Sequence, residues 1–319
     1  MSSNDVTRSH VCLLWGGWAD ERDVSHSSAV AVQGALAEAG FESVDLVDAA
    51  DPELGVRLST GAYDVAFIAM HGKYGEDGCI QGMLEVLHIP YTFSGVVASA
   101  TAADKDLAKL VYRDAGIPCP AGICVARGEE VDTEAVVARL GLPLFVKPVL
   151  NGSSYGVTRV TEICQLADAI AVAHESSDRA LVEECVTGTE ITVPVIGNGE
   201  PEALQIVEIV TGAEFYDLKA KYEPSELHHV IPARLDPAAY VRAQELAVAA
   251  HKALGCSGCS RSDFIVTDAG EPVLLETNTI PGMTERSLLP DSAQRSGIPF
   301  PELCRRFVEW ALEEGAGRL

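Results

Sequence analysis

The chain has 319 residues, more than one hydrophobic core usually organises, so two or three domains are expected. Its 47% hydrophobic and 22% charged residues supply material for packed cores, which excludes intrinsic disorder and collagen-like repeats. With 47 acids against 23 bases the net charge is −24, which repels phosphate backbones and anionic lipid and argues against a nucleic-acid or membrane-surface role. No apolar run reaches the roughly 18 to 20 residues of a membrane helix. Residues 1–10 lack the basic-then-apolar order of a signal peptide. Nine scattered cysteines fit reduced thiols better than a disulfide framework, so a cytoplasmic location is expected.

The first hundred residues alternate strand-like and helix-like segments. The run HVCLLW over 10–15 stops at Gly16-Gly17 and reads as a buried strand and turn. Ser25 can cap a helix with Val30, Leu36 and Ala39 on one face, ending at Gly40. Strands are predicted over 44–47 and 64–70. This alternation implies a parallel sheet with ligands at the carboxyl ends of its strands. The polar stretch His71-Gly72-Lys73-Tyr74-Gly75-Glu76-Asp77-Gly78 stands at such an end, and a helix over 80–87 follows.

From residue 94 the pattern changes. A helix over 101–115, a strand over 121–126, a helix over 133–140 and a strand over 142–147 lead to a glycine turn at 151–156. Extended structure over 157–160, a helix over 163–173 and a strand over 180–184 complete this unit. Strand, glycine loop, strand predicts an antiparallel hairpin. Beyond 187 come strands over 190–195 and 203–210, a long polar stretch over 211–237 and a helix over 238–254. Short strands over 262–266 and 273–275 precede a terminal helix over 301–313. The predicted class is α/β, divided as 1–93, 94–186 and 187–319.

Several groups of residues bear on chemistry. Asn151-Gly152-Ser153-Ser154-Tyr155-Gly156 offers backbone amides and hydroxyls that can wrap phosphates, with a plain hairpin turn as the alternative. It also matches G-x-S-x-G with Ser154 as nucleophile, but that elbow needs a following helix, and Val157-Thr158-Arg159-Val160 is β-rich. Lys147, one of only seven lysines, ends an apolar strand four residues earlier. A lysine there needs a matching charge, so it reads as an anion ligand or a snorkelling edge residue.

Asp263, Glu276 and Asn278 lie on two short predicted strands, and Glu276 and Asn278 share one face. Such hard oxygen donors suit Mg²⁺, although a solvated acidic edge would look the same. Glu21, just after Gly16-Gly17, could meet a substrate ammonium. Cys256 and Cys259 form one C-x-x-C without a second pair or a thioredoxin-like context. His228-His229 lacks a helical H-E-x-x-H setting and reads as loop surface.

Taken in chain order, these pieces closely resemble the D-alanine–D-alanine ligase family of the ATP-grasp superfamily over 13–308. The matching stretches are Gly16-Gly17 with Glu21-Arg22 and Val24-Ser25, then His71-Gly72 and Gly75-Glu76-Asp77-Gly78. Gln81-Gly82-Met83-Leu84-Glu85, Ser94-Gly95-Val96, Ala98-Ser99-Ala100 and Asp104-Lys105 follow. Later matches are Val146-Lys147-Pro148, Gly152-Ser153-Ser154, Ala220-Lys221-Tyr222, Arg261 with Asp263, Leu274-Leu275-Glu276, Asn278-Thr279 and Pro281-Gly282-Met283-Thr284. Their joint order and spacing carry the resemblance.

The resemblance implies an N-terminal parallel-sheet (pre-ATP-grasp) domain followed by a two-lobed ATP-grasp α+β fold. It also implies an activity: ATP converts the first D-alanine carboxylate to an acyl phosphate, the second D-alanine amine attacks, and phosphate leaves. The product serves peptidoglycan precursor synthesis. By position, Lys105 and Lys147 would hold ATP phosphates under the glycine loop at Ser153. Glu183, Glu184 and Val186 would hinge onto adenine, with Glu190 on ribose. Asp263, Glu276 and Asn278 would coordinate two Mg²⁺, with Mn²⁺ the alternative. Arg261 and the Gly282 N–H would stabilise the oxyanion. Glu21 would pair with the first ammonium, with His71 nearby, and Ser287 and the Leu288 backbone would take the second carboxylate. Lys221 would reach the transferred phosphate from a closing loop, and Tyr222 would tie that loop to Ser153 and Glu21. The family also implies a homodimer.

Some positions depart from the family. Glu184 stands where lysine is frequent, Cys185 replaces an aromatic residue, Ile280 replaces a serine, and Lys219 stands where an acid is common. Two other functions stay open: a ligase taking D-lactate or D-serine second, and a nucleotide-binding regulator without turnover. Tyr222 carries no positive charge at pH 7, its reference pKa being about 10, which favours D-alanine. His228 and His229, further along the same stretch, bear on that choice.

Overall fold

A computed structural model describes residues 5–19, 21–150, 156–211 and 227–315. The N-terminal sheet has β1 (His10–Trp15) between β2 (Ser43–Asp48) and β3 (Val65–Ile68), all parallel. Helices α1 (Arg22–Glu38) and α2 (Leu54–Thr60) provide the crossovers that parallel strands require. All four residues of β3 are buried, as expected of a strand covered on both faces.

Two readings of α1 are corrected. Its N-cap residue is Glu21, and Ser25 lies inside the helix, fully buried. The Ser25 hydroxyl accepts from Gly16 N–H and donates to Ala69 C=O, both at 2.7 Å, joining the turn after β1 to the chain after β3. Val30 is exposed; the core face is Ala29, Val32 and Leu36, at three- and four-residue spacing. Helix α2 buries only Leu54 and Leu58, too few apolar positions for its period to show in the sequence.

Helix α3 (Cys79–Val86) follows the polar loop, and the predicted helix over 101–115 is two helices, α4 (Val96–Ala103) and α5 (Lys105–Asp114). Asp104 between them is extended, and its carboxylate accepts from the N–H groups of Asp106 and Leu107 to cap α5. The central sheet runs β4-β7-β5-β6, from β4 (Gly122–Ala126), β5 (Leu144–Pro148), β6 (Thr158–Val160) and β7 (Arg179–Glu184). Its pairings are antiparallel, and β5–β6 is the predicted hairpin. Helices α6 (Thr133–Leu140) and α7 (Leu166–Ala173) cover it, joining Val136, Leu166 and Ala169 to Leu144, Val146 and Val182 in one core.

The third sheet runs β11-β10-β8-β12-β13, with β9 on β8. Its strands are β8 (Thr189–Ile196), β9 (Glu202–Ala203), β10 (Val207–Thr211), β11 (Leu227–Val230), β12 (Cys259–Val266) and β13 (Pro272–Asn278). Strand β11 falls in the stretch read as polar loop; pairing with β10, from Glu208↔Val230 to Thr211↔Leu227, gives it a partner that local sequence cannot show. Helix α8 (Pro237–Leu254) packs Ala243, Leu246 and Ala250 against this sheet, in a core that also takes Ala108 and Tyr112 of α5. Helix α9 (Leu288–Arg295) lies outside any predicted element. Helix α10 (Phe300–Glu314) returns to the N-terminal unit, where Phe307 meets Phe93 with ring centroids 5.0 Å apart.

The predicted α/β class, a parallel sheet followed by two antiparallel α+β lobes, is the fold adopted. No helix among the described residues is long and apolar enough to cross a membrane.

Candidate active site

The carboxyl ends of β1 and β3, the strand ends of the central lobe and the β12–β13 hairpin converge on a cleft of about 2070 Å³. This exceeds the ~300–1,000 Å³ of a typical single-ligand pocket and leaves room for more than one small molecule.

At one end, Gly72 has φ +70°, and a Cβ there would collide with Glu21 Oε2. Glycine therefore lets the loop after β3 pass close to the Glu21 carboxylate. His71 is buried, with Nε2 3.0 Å from Ser28 Oγ and Nδ1 3.5 Å from Glu76 Oε1. Ser28 Oγ also accepts from Met283 N–H at 3.3 Å. Its own proton can then go to Nε2, which places the imidazole proton on Nδ1, facing Glu76. Ser28 thus joins α1, the β3 loop and the segment after β13, a role that a serine inside a helix does not announce in sequence.

On the central sheet, Glu183 is paired with Phe145, two residues before Lys147, so Glu183 and Lys147 share one face. Lys147 Nζ lies 2.5 Å from Glu183 Oε2, and Lys109 Nζ lies 2.7 Å from Glu183 Oε1. Burial opposes the charge on Glu183, but Lys147 and Lys109 outweigh it and hold the carboxyl below its usual range. Burial also opposes the charge on Lys147, and Glu183 followed by Glu276 outweighs it, raising the ammonium above its usual value. At Lys109 burial prevails over Glu183, and the ammonium is pushed down. The predicted charge match for Lys147 is therefore internal, and Lys109 is a residue the sequence reading missed. Its signal was the four-residue step from Lys105, which puts both lysines on one face of α5.

Across the cleft, β12 and β13 pair so that Asp263 faces Glu276 and Arg261 faces Asn278. Arg261 grips Asp263 with Nε–Oδ1 at 3.0 Å and Nη2–Oδ2 at 2.9 Å, and Thr192 Oγ1 donates to Asp263 Oδ1 at 2.5 Å. Lys105 Nζ stands 3.3 Å from Glu276 Oε2. Asn278 Oδ1 accepts from Ile280 N–H at 2.8 Å. Two carboxylates in register, with an amide oxygen on the same strand and no His or Cys, fit a hard divalent cation. No third acid, His or Cys joins them in a metal-binding group among the described residues.

Beyond β13, Ser287 Oγ accepts from Thr284 N–H at 3.0 Å and lies 2.8 Å from Thr284 Oγ1. A Cβ at Gly282 would stand 2.9 Å from Ser287 Oγ, so glycine keeps the Gly282 backbone close to that hydroxyl. Ser287 is the N-cap residue of α9, and its side chain does not cap the helix. The amides of the first turn, beginning at Leu288, have no intrahelical acceptor and can meet a carboxylate.

Val186 and Glu190 also line the cleft. Glu184 lines it as well, but its Oε1 accepts from Ala121 N–H at 2.8 Å, on the sheet edge. The Glu183 side chain is engaged by its two lysines, and its backbone lies within β7 between β4 and β5. Ser153, Ser154, Lys221 and Tyr222 lie outside the described residues. His228 and His229 belong to β11 and not to a loop; burial pushes the His229 imidazole below its ordinary value. Burial raises the Cys256 thiol to about 12 and lifts Cys259 well above its ordinary value, so neither offers a thiolate.

The family model described as D-ala D-ala ligase C-terminus matches residues 111–309, and D-ala D-ala ligase N-terminus matches 48–94. The chain is similar to the D-alanine–D-alanine ligase of Pelotomaculum thermopropionicum, 43% identical over 311 residues, covering 95% of this chain and 96% of that one. It is also similar to the D-alanine–D-alanine ligase of Syntrophobacter fumaroxidans, 44% identical, covering 98% of this chain and 100% of that one. Among solved structures, D-alanine–D-alanine ligase from Bacillus anthracis superimposes with a TM-score of 0.85 at 33% identity, covering 96% of this chain and 98% of that one. The same ligase complexed with ATP gives a TM-score of 0.83 at 30% identity, with the same coverage. With both family halves matched in order and relatives aligned almost end to end, the chain belongs to the D-alanine–D-alanine ligase family, whose fold is ATP-grasp.

Proposed function

We propose that this protein joins two D-alanine molecules into D-alanyl-D-alanine, with ATP converted to ADP and phosphate. The observation that carries this reading is the opposed charge of one cleft: Lys105 and Lys147 on one side, and Asp263 and Glu276 in register on the other. That is the distribution needed to hold a polyphosphate and its cations. The ATP complex of the Bacillus anthracis ligase supports placing ATP here.

Asp263, Glu276 and Asn278 would hold two Mg²⁺, or Mn²⁺, which when bound neutralise charge during phosphoryl transfer. Lys105 and Lys147 bind the phosphates. The backbone of 183–186 takes the base and Glu190 the ribose, with Glu184 at the edge of that hinge. Glu21 pairs with the first D-alanine ammonium, and His71, fixed by Ser28, orients that end. The first carboxylate attacks the γ-phosphorus and ADP leaves, giving an acyl phosphate. Ser287 and the Leu288 N–H hold the second D-alanine carboxylate, so its amine faces the acyl carbon. Arg261 and the Gly282 N–H stabilise the tetrahedral oxyanion, and the C–O bond to phosphate breaks as the peptide bond forms, the proton lost by the amine leaving with phosphate as hydrogen phosphate. Ser153, Lys221 and Tyr222 keep the roles that the resemblance implies.

His229 supports D-alanine over D-lactate. Its imidazole lines the cleft with its pKa lowered by burial, so it is neutral at pH 7 and places no cation against an incoming ammonium. A division at 1–93, 94–186 and 187–319, a homodimeric state and a cytoplasmic location belong to the same proposal. A coupled ADP-release assay tests it: release should depend on D-alanine, with the dipeptide identified by mass. ATP binding without D-alanine-dependent ADP release would instead support a non-catalytic nucleotide-binding regulator.

A further inference from the structure

Lys109 does not line the cleft, and its side chain is only 1% exposed. Burying a lysine this deeply is costly unless its charge is matched. Its partners are Glu183 Oε1 at 2.7 Å and Leu275 C=O at 3.1 Å, the residue before Glu276. Helix α5 therefore reaches both lobes from one face, Lys105 to the Glu276 carboxylate and Lys109 to the adjoining backbone and to β7. At the other end of β7, Arg179 pairs with Asp104 and Asp106, so two charged contacts spaced four residues apart fix α5 to that strand. The helix is a crosspiece between the strand that carries Glu183 and the strand that carries Glu276.

The charge count within this cluster matters more than its rigidity. Lys109 and Lys147 share the Glu183 carboxylate, and Glu276, which also acts on Lys147, is in contact with Lys105, so three lysines meet two carboxylates. Of the two lysines on Glu183, Lys147 lines the cleft. The Lys109–Glu183 contact is close but poorly directed as a hydrogen bond, so it acts mainly through charge. We propose that Lys109 is a positioning residue for nucleotide binding: by drawing on Glu183 from behind, it keeps Lys147 from being fully neutralised and leaves positive charge for an anion in the cleft. This rests on the reading of the cleft as a nucleotide site.

The test uses the full chain, with ADP binding by calorimetry, KM for ATP and kcat, and melting to confirm folding. Lys109→Met should weaken ADP binding by ~10-fold, the scale of one charge-assisted hydrogen bond, because Glu183 then pairs wholly with Lys147. KM for ATP should rise in step, while kcat at saturating ATP stays within ~3-fold. Adding Glu183→Gln to Lys109→Met should restore most of the ADP affinity, since Lys147 is freed of its competitor. A merely structural lysine predicts the opposite, a double variant as weak as the single or weaker. Unchanged ADP binding in Lys109→Met, or no recovery in the double variant, would overturn the proposal. Should Lys109→Met not fold, Glu183→Gln alone decides: ADP binding at least as tight as in the parent supports the charge argument, and weaker binding overturns it. A parent protein that binds no ADP would instead overturn the nucleotide reading of the cleft.

Discussion

His251, on the helix Pro237–Leu254, should make the C-terminal lobe acid-sensitive. The side chain is 1% exposed, and Nδ1 lies 2.8 Å from Ser260 Oγ. Burial lowers its pKa to about 4, against an unfolded value of about 6.5. Between those values the unfolded chain binds a proton that the folded chain refuses. Stability from this group is therefore complete above pH 6.5 and is lost as pH falls toward 4. A gap of about two and a half pKa units, at ~1.36 kcal/mol each, amounts to roughly 3 kcal/mol. Ser260 precedes Arg261 on β12, so acid should loosen the strand that presents Arg261 and Asp263 to the cleft. The control is His251→Leu combined with Ser260→Ala, which removes both partners and leaves neither buried polar group orphaned. Urea unfolding at pH 7 and pH 4.5 gives the pH-dependent loss for each protein. The parent should lose about 2–3 kcal/mol more than the double variant across that interval. Equal losses would refute the assignment of the acid sensitivity to His251.

Other outcomes follow from the same geometry. Glu276→Gln keeps the shape of β13 but removes one of the paired carboxylates, so ADP release with D-alanine should fall by at least ~10²-fold at saturating Mg²⁺; a near-parental rate would sink the two-metal reading. Gly72→Ala puts a Cβ against Glu21 at φ +70° and should raise the KM for D-alanine by ~10-fold or more, whereas an unchanged KM would remove Glu21 from the first-substrate site. In competition with equal D-lactate across pH 6 to 9, D-alanyl-D-alanine should dominate at pH 7, and depsipeptide as the main product there would show that a cationic group faces the second site.

Apolar runs with fixed stops were legible in the chain. HVCLLW ahead of Gly16-Gly17 and DVAFIAM ahead of His71 each gave a strand, because a strand buried on both faces is written as consecutive hydrophobic residues, while LPLFVK ahead of the glycine turn gave one whose burial alternates between its two faces. The order of the short motifs likewise determined the family, since each constrains a local backbone or a charged position that can be read one segment at a time. Elements whose stability comes from distant partners were not legible. Strand β11 exists by pairing with β10, Ser25 is a buried bridge and not a cap, and Asp104 divides one apparent helix by capping the second. The charge relations of the cleft were also decided only by folding. Lys109, Glu183 and Lys147 come from three separate elements, and none of the three shows in sequence which partner will answer its charge. Burial makes that pairing compulsory, and burial is a property of the assembled structure.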